Sequence, residues 1–415
     1  MRSLILMALS LGLLVALLRF KVKIGRSMLF SAVALAVFLG VTPAAMWDEL
    51  VREWQGKSIT QTTGYLFVTL TALVLLVNVL SQAMQQSGVS ERLCPAMQGL
   101  FRSRRVALSI VPLIMGMLPA PGGIMLSAPM VRELGDELGV ERSRLATINF
   151  YFRHQWEPVW PLFPAIPLVQ GILGVSAISI IAHNAVIVLS GILGGVIFLL
   201  LIGMPPKKKG QKISKALFHH NLLDFIHAFW PIGLAAVLYA ALNMPPAAGI
   251  LIATIGFLLL HRIKLNRWGG IFKAAKEPDI AVLIFGALLF KLNLQAGGGV
   301  TDVMELLSRH NIPAGLIIFS LPFLVAFLTG ITSATVAVTF PLLAPLIGTG
   351  TEAEMSLEAL AFAGVISGLL VTPVHLCLAL STGYFETSFS KIIIKLLPPT
   401  AFIIISAVLM VILLT

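Results

Sequence analysis

The sequence predicts an all-α polytopic membrane protein, with about ten transmembrane helices plus two re-entrant hairpins in an inverted-topology repeat. Three observations lead there: a composition too apolar for a soluble surface, apolar blocks of membrane-crossing length, and basic residues gathered on one side of them. Of 415 residues, 58% are hydrophobic and 11% charged, against roughly 25% charged in soluble domains. Mean hydropathy is +0.96. A hydrocarbon core of about 30 Å takes roughly 20 residues of helix, and the apolar blocks reach that length. No alternating ten-residue pattern supports a β-barrel.

In order, the first repeat is read as residues 1–202, with spans 3–19, 28–46 and 62–84, a hairpin over 106–131, and spans 145–173 and 177–202. A basic cytoplasmic linker, 203–225, follows. The second repeat, 226–415, holds spans 226–243, 246–261 and 279–296, a hairpin over 313–347, and spans 359–383 and 393–414. The first block is read as a retained span, because Arg19, Lys21, Lys23 and Arg26 follow it, whereas a cleaved signal peptide carries its charge before the apolar run. The two hairpins are assigned because each block is broken mid-way, by Leu118–Gly123 (LPAPGG) and by Thr329–Thr335 (TGITSAT). The alternative for each break is a kinked helix that crosses fully.

Charge favours the hairpins. With them, the loops 19–27, 85–105, 132–144, 203–225, 262–278 and 384–395 share one side and hold 23 of the 29 Lys and Arg residues. Arg2, Arg52, Lys57 and Arg309 fall opposite, and Arg153 and Lys291 lie inside apolar blocks. Basic loops stay cytoplasmic, so both termini are expected outside. The net charge of +11 is therefore read as topology with the lipid bilayer as partner, and no nucleic acid is implied. Lys207–Lys209 is read as a solvated loop touching anionic lipid at most. Two cysteines, Cys94 and Cys377, support neither a disulfide framework nor a clustered metal site.

The halves resemble each other weakly. Gly88–Glu91 (GVSE) matches Gly299–Asp302 (GVTD) at an offset of 211, Pro129 matches Pro341 at 212, and Glu157–Val159 (EPV) matches Thr372–Val374 (TPV) at 215. The second half starts on the opposite side of the membrane from the first, the inverted plan of many secondary transporters.

Chemistry is expected where backbone leaves the helix inside the membrane, because its polar groups then need protein, water or ligand. Pro119, Ala120, Pro121, Gly122 and Gly123 break one tip; Thr329, Gly330, Thr332, Ser333 and Thr335 fill the other with hydroxyls. Facing tips would present helix N-termini, which suit an anion, and exposed oxygens near Thr332, Ser333 and Thr335 suit Na⁺. The alternative is that the hydroxyls bond their own backbone. The fourth span carries Asn149–Pro161 (NFYFRHQWEPVWP). Arg153 and Glu157, four apart, share a helix face, and Pro158 breaks the helix beside them. Glu157 is read as the only acidic residue inside an apolar block. Intramembrane charge is costly and marks function by default, with a structural Arg153–Glu157 pair as the alternative. His154 joins them, and Thr372 and His375 form the matching neutral break in the second half. Lys291 is read as reaching outward, and His183 and Asn184 as packing or hydrogen-bonding residues.

The span order, the paired hairpins and the motifs LPAPGG…SAP, FRHQWEPVWP and TGITSATVAVTFP resemble a prokaryotic membrane family, domain of unknown function 401. That family is grouped with an ion transporter superfamily of carboxylate, citrate, gluconate and Na⁺/H⁺ carriers. The resemblance covers nearly the whole chain. It implies scaffold and transport regions, a homodimer, elevator-like motion and a place in the prokaryotic cytoplasmic (inner) membrane. The Ser-Asn-Thr signature of the dicarboxylate branch is at neither tip.

The reading is a secondary active transporter of a small, anionic, carboxylate-type solute, driven by H⁺ or Na⁺, with no other cofactor. No GxxxxGK[ST] segment serves a nucleotide-driven pump. An intramembrane enzyme is the second class, and it lacks a recognisable catalytic set. A channel is the third, disfavoured by an inverted repeat with one charged half-site.

Overall fold

A computed structural model describes residues 2–56, 58–89, 96–97, 100–101, 103–117, 124–205, 215–242, 244–299 and 313–414. Lys57, Cys94, Lys207–Lys209, Arg309 and the C-terminal parts of both repeat matches (Ser90–Glu91 and 300–302) lie outside them. The described residues are helical, with no strand. Eighteen helices are numbered here: α1 (Arg2–Arg19), α2 (Ile24–Leu39), α3 (Pro43–Gly56), α4 (Thr63–Gln86), α5 (Arg104–Met115), α6 (Ile124–Leu138), α7 (Arg142–Arg153), α8 (Ala165–Leu173), α9 (Ala177–Gly195), α10 (Lys215–Leu242), α11 (Pro246–Leu260), α12 (Leu265–Ala275), α13 (Pro278–Ala296), α14 (Ala314–Thr329), α15 (Thr332–Ile347), α16 (Met355–Val371), α17 (Leu376–Tyr384) and α18 (Phe389–Leu414).

The chain is an integral membrane protein. Six helical stretches are long and apolar enough to cross a bilayer: Thr63–Gln86, Ala177–Leu201, Leu217–Tyr239, Pro278–Ala296, Met355–Tyr384 and Phe389–Leu414. A seventh arises if α2 and α3, bent by 106° at their junction, form one span. Shorter apolar helices are Ile5–Arg19, Pro246–Leu260, Ala314–Thr329 and Thr332–Ile347. The outer faces carry Leu189, Val237, Leu259, Ile394 and Ile412, each more than half exposed. So much apolar surface turned outward suits lipid rather than water.

Several boundaries differ from the sequence reading. The span read over 28–46 ends at Leu39, where Gly40 takes a left-handed conformation and Pro43 starts α3. Helix α3 folds back and places Glu53 against α13. Lys291 therefore does not reach outward: it is 2% exposed, and its Nζ donates to Glu53 Oε1 at 2.9 Å. Part of the linker read over 203–225 is helical, since α10 starts at Lys215. A basic loop between α11 and α13 also holds α12.

Small residues set the tightest packing. Helix α14 lies along α16. A Cβ on Gly364 would stand 2.3 Å from the carbonyl oxygen of Phe319, and one on Gly368 2.2 Å from that of Phe323. This four-residue spacing of glycines lets two membrane helices approach backbone to backbone.

Candidate functional site

Two helix breaks build the site. Helix α7 ends at Arg153, and residues 154–164 run in turns before α8. Pro158 has no N–H to give an α-helix. The carbonyl of Pro158 itself accepts from Asn184 of α9, whose Nδ2 donates to it at 3.1 Å. Arg153 is buried, and its Nη1 donates to Met115 O, at the end of α5, at 2.7 Å. Next to Met115, a Cβ on Gly116 would fall 2.1 Å from Arg153 O. The end of α5 therefore sits directly on the break.

The second break lies between α16 and α17, over Thr372–His375. It packs on the junction of α14 and α15. Gly330 caps α14 with φ +66°, and a Cβ there would meet His375 N at 3.0 Å. His375 Nδ1 is 2.6 Å from Gly330 O. The Thr372 hydroxyl donates to Phe327 O and accepts from Val374 N at 3.2 Å.

The two breaks meet at one cavity of about 400 Å³, lined by Arg153, His154, Glu157, Gly330, Ile331, Thr332, Ser333, His375, Leu376 and Cys377, with Gly116 among its neighbours. The hydroxyl of Thr332 donates to the Glu157 carboxylate, joining the first break to the second junction. His154 and His375 face each other, Nε2 to Nε2, at 2.9 Å. Helices α15 and α17 both begin on this cavity, and the first N–H groups of a helix have no partner within it. Those N–H groups and the dipole ends behind them favour negative charge. The cavity lining also includes Asn78 on α4 with Glu277 and Asp279 at the start of α13. Asn78 Nδ2 donates to Glu277 Oε2 at 3.4 Å, and Asp279 Oδ2 accepts from Gly25 N at 3.1 Å.

Of the residues singled out in the sequence, Arg153, His154, Glu157, Gly330, Thr332, Ser333 and His375 come together here. Pro119, Ala120, Pro121, Gly122 and Gly123 lie outside the described residues. Thr329, Thr335 and Thr372 stand behind the cavity. The hydroxyl of Thr329 donates to Val325 O at 2.8 Å and that of Thr335 to Ile331 O at 2.9 Å. For these two, the competing reading of hydroxyls bonded to their own backbone describes the geometry.

Cys377, Asn78, Glu277 and Asp279 were not singled out as site residues. Glu157 is also not the only acidic group buried in an apolar helix. Glu358 on α16 is 0% exposed, and its Oε1 accepts from Asn184 Nδ2 at 3.3 Å. Its Oε2 has no hydrogen-bond partner among the described residues. The missed signal was positional: Glu358 stands one residue before the span read over 359–383, while the helix starts at Met355.

Comparison with known proteins adds two findings. A family model described as "Protein of unknown function (DUF401)" matches residues 3–415. The crystal structure of the YdaH transporter of Alcanivorax borkumensis, reported with an unusual topology, is similar in fold. Its TM-score is 0.60 at 15% identity, over 87% of this chain and 88% of that one. No curated protein matches.

Proposed function

We propose that this chain, which belongs to the DUF401 family, is a secondary active transporter of a small anionic, carboxylate-type solute. One observation carries the reading: the N-termini of α15 and α17 and the Arg153 guanidinium converge on a single cavity of about 400 Å³. That volume falls in the range of small-molecule sites, about 300–1,000 Å³. Arg153 offers a fixed cation, and the two helix starts offer N–H groups to the solute's oxygens. Glu157, touching Thr332 across the junction of the two breaks, is the coupling group. A carboxyl there carries H⁺, or joins the Thr332 and Ser333 hydroxyls around Na⁺. Glu277 and Asp279, which also line the cavity, favour a second form of the same substrate class, a zwitterion whose ammonium end faces them.

The rest of the reading follows the sequence: two inverted repeats divided near residues 203–225, hairpins over 106–131 and 313–347, both termini outside the prokaryotic inner membrane, a homodimer, and elevator-like motion. The likeness to a transporter fold supports the class. The alternatives are a channel and an intramembrane enzyme.

Proteoliposomes given a pH or Na⁺ gradient and a panel of labelled small carboxylates test this. The expected result is saturable accumulation against the solute gradient. Conductance without saturation makes the protein a channel, and conversion of the solute makes it an enzyme. Glu157→Gln is expected to keep exchange at equal pH and to lose accumulation driven by a pH gradient. Full pH-driven accumulation in Glu157→Gln removes the proton from Glu157 and leaves Na⁺ at the hydroxyls.

A further inference from the structure

The two histidines at the cavity raise a question of hydrogen counting. His154 Nδ1 stands 2.6 Å from Phe150 O, and His375 Nδ1 stands 2.6 Å from Gly330 O. A carbonyl oxygen only accepts, so each contact needs a hydrogen on the ring nitrogen. A neutral imidazole carries one N–H. Both are then spent on the carbonyls, and both Nε2 atoms are lone-pair acceptors. Yet these two lone pairs are aimed at each other at 2.9 Å. Something electron-poor belongs between them.

The surroundings say what. The thiol of Cys377, two residues beyond His375 at the start of α17, belongs to the same group: its Sγ and one nitrogen of each histidine lie within 4.8 Å of one another. The Arg153 guanidinium lies beside this thiol, and cysteine binds metal as the thiolate. Glu157 Oε1 is 3.8 Å from His154 Nε2, on the same side. Two imidazoles and a thiolate are borderline-to-soft donors, poor for Na⁺ and well matched to Zn²⁺, which also accepts a carboxylate oxygen. The anchoring of each Nδ1–H on a backbone carbonyl is also the arrangement that fixes ring orientation in metal-bound histidines. A tetrahedral Zn²⁺ with Zn–N of about 2.0–2.1 Å holds its two nitrogens roughly 3.3 Å apart, so the rings need to part by only a few tenths of an ångström.

We propose that His154, His375 and Cys377 form a Zn²⁺ site, with the Glu157 carboxylate or a solute oxygen in the fourth position. The ligands come from both breaks. A bound ion therefore ties the end of α7 to the start of α17 across the junction on which the transport reading depends. Zn²⁺ is a clasp between the two halves of the site and stands independently of which solute is carried.

The full-length protein in lipid nanodiscs, stripped with a chelator and titrated with Zn²⁺, tests this. Expected are one Zn²⁺ per chain by elemental analysis after desalting, a rise in the unfolding temperature on adding Zn²⁺, and loss of both in His154→Ala and in His375→Ala. Co²⁺ serves as a spectroscopic probe. Its thiolate charge-transfer band is expected in the unaltered protein and absent in Cys377→Ser, a change small enough to leave the fold intact. Three results overturn the proposal: no stoichiometric Zn²⁺, Zn²⁺ retained in both histidine variants, or Co²⁺ bound without a thiolate band. If ¹⁵N-histidine spectra instead show one hydrogen shared between the two rings with no metal bound, the electron-poor partner is a proton, and the metal site is wrong. None of these readouts needs transport, so they fail or succeed apart from the uptake assay.

Discussion

The two broken helices solve one backbone problem with different chemistry. In the first, Gly116 closes on the Arg153 carbonyl and Arg153 returns a hydrogen bond to Met115 O; in the second, Gly330 closes on the His375 amide and His375 returns one to Gly330 O. Each break is thus held by a glycine that admits close approach and by a side chain that meets a carbonyl at the helix end. They differ in charge. The first break brings Arg153 and Glu157, both buried; the second brings Thr372 and His375, with a hydroxyl bonded to Phe327 O. Shape is common to both breaks, while fixed charge belongs to one. In the proposed carrier, the neutral half supplies geometry and the charged half supplies selection and coupling.

If that division is right, the largest effect comes from stranding a charge. Arg153→Met removes both the donor to Met115 O and the cation near Glu157. Leaving a buried charge without its partner costs about 3–5 kcal/mol, measured as lost unfolding free energy in detergent. The double variant Arg153→Met with Glu157→Gln is expected to recover part of it, because the one charge stranded by the first change is then gone. A cost for Arg153→Met below about 1 kcal/mol, the scale of a neutral hydrogen bond, would erase the contrast between the breaks.

The glycines sharpen the shared part of the comparison. In Gly116→Ala the new methyl collides with a backbone oxygen, which cannot turn aside as a side chain can. Overpacking of this kind costs about 1–3 kcal/mol. In Gly330→Ala the contact is looser, but the residue sits at φ +66°, and left-handed backbone costs an L-residue roughly 1–2 kcal/mol. The expected outcome is similar destabilisation from different causes, and lost uptake in both while the protein still inserts. Normal uptake in Gly116→Ala would detach the first junction from the site.

Much of this was legible in the sequence, and the failures have physical reasons. Apolar length gave helices because a membrane leaves few other ways to satisfy backbone. Arg153, Glu157 and Pro158 stood out because charge and a helix breaker are costly there. Pairings across the fold were less visible. Lys291 looked like an outward-reaching lysine because Glu53 is 238 residues away and on a helix hidden at Gly40–Pro43, inside a segment read as one span. Glu358 was missed by one residue of boundary. His375 was marked as the matching neutral break, but its meeting with His154 depends on how α7 and α17 pack. Thr329 and Thr335 share a composition with Thr332 and Ser333, and only the direction of each hydroxyl separates cavity wall from backbone support.

The smallest effect is expected at Thr372, where the second break is held by a neutral bond. Its hydroxyl bridges two parts of the junction, donating to Phe327 O on α14 and accepting from Val374 N. Thr372→Val keeps the shape and branching of the side chain but removes both bonds. A typical intramolecular hydrogen bond contributes about 0.5–1.5 kcal/mol net. The expected loss is therefore near 1 kcal/mol on that scale, several times smaller than for Arg153→Met. Thr372→Ser, which keeps the hydroxyl, is expected to recover most of it. Because Thr372 stands behind the cavity wall, Thr372→Val is expected to leave the solute affinity of the carrier close to normal. A large rise in KM with little change in stability would place Thr372 in contact with the solute, and the second break would then select as well as shape.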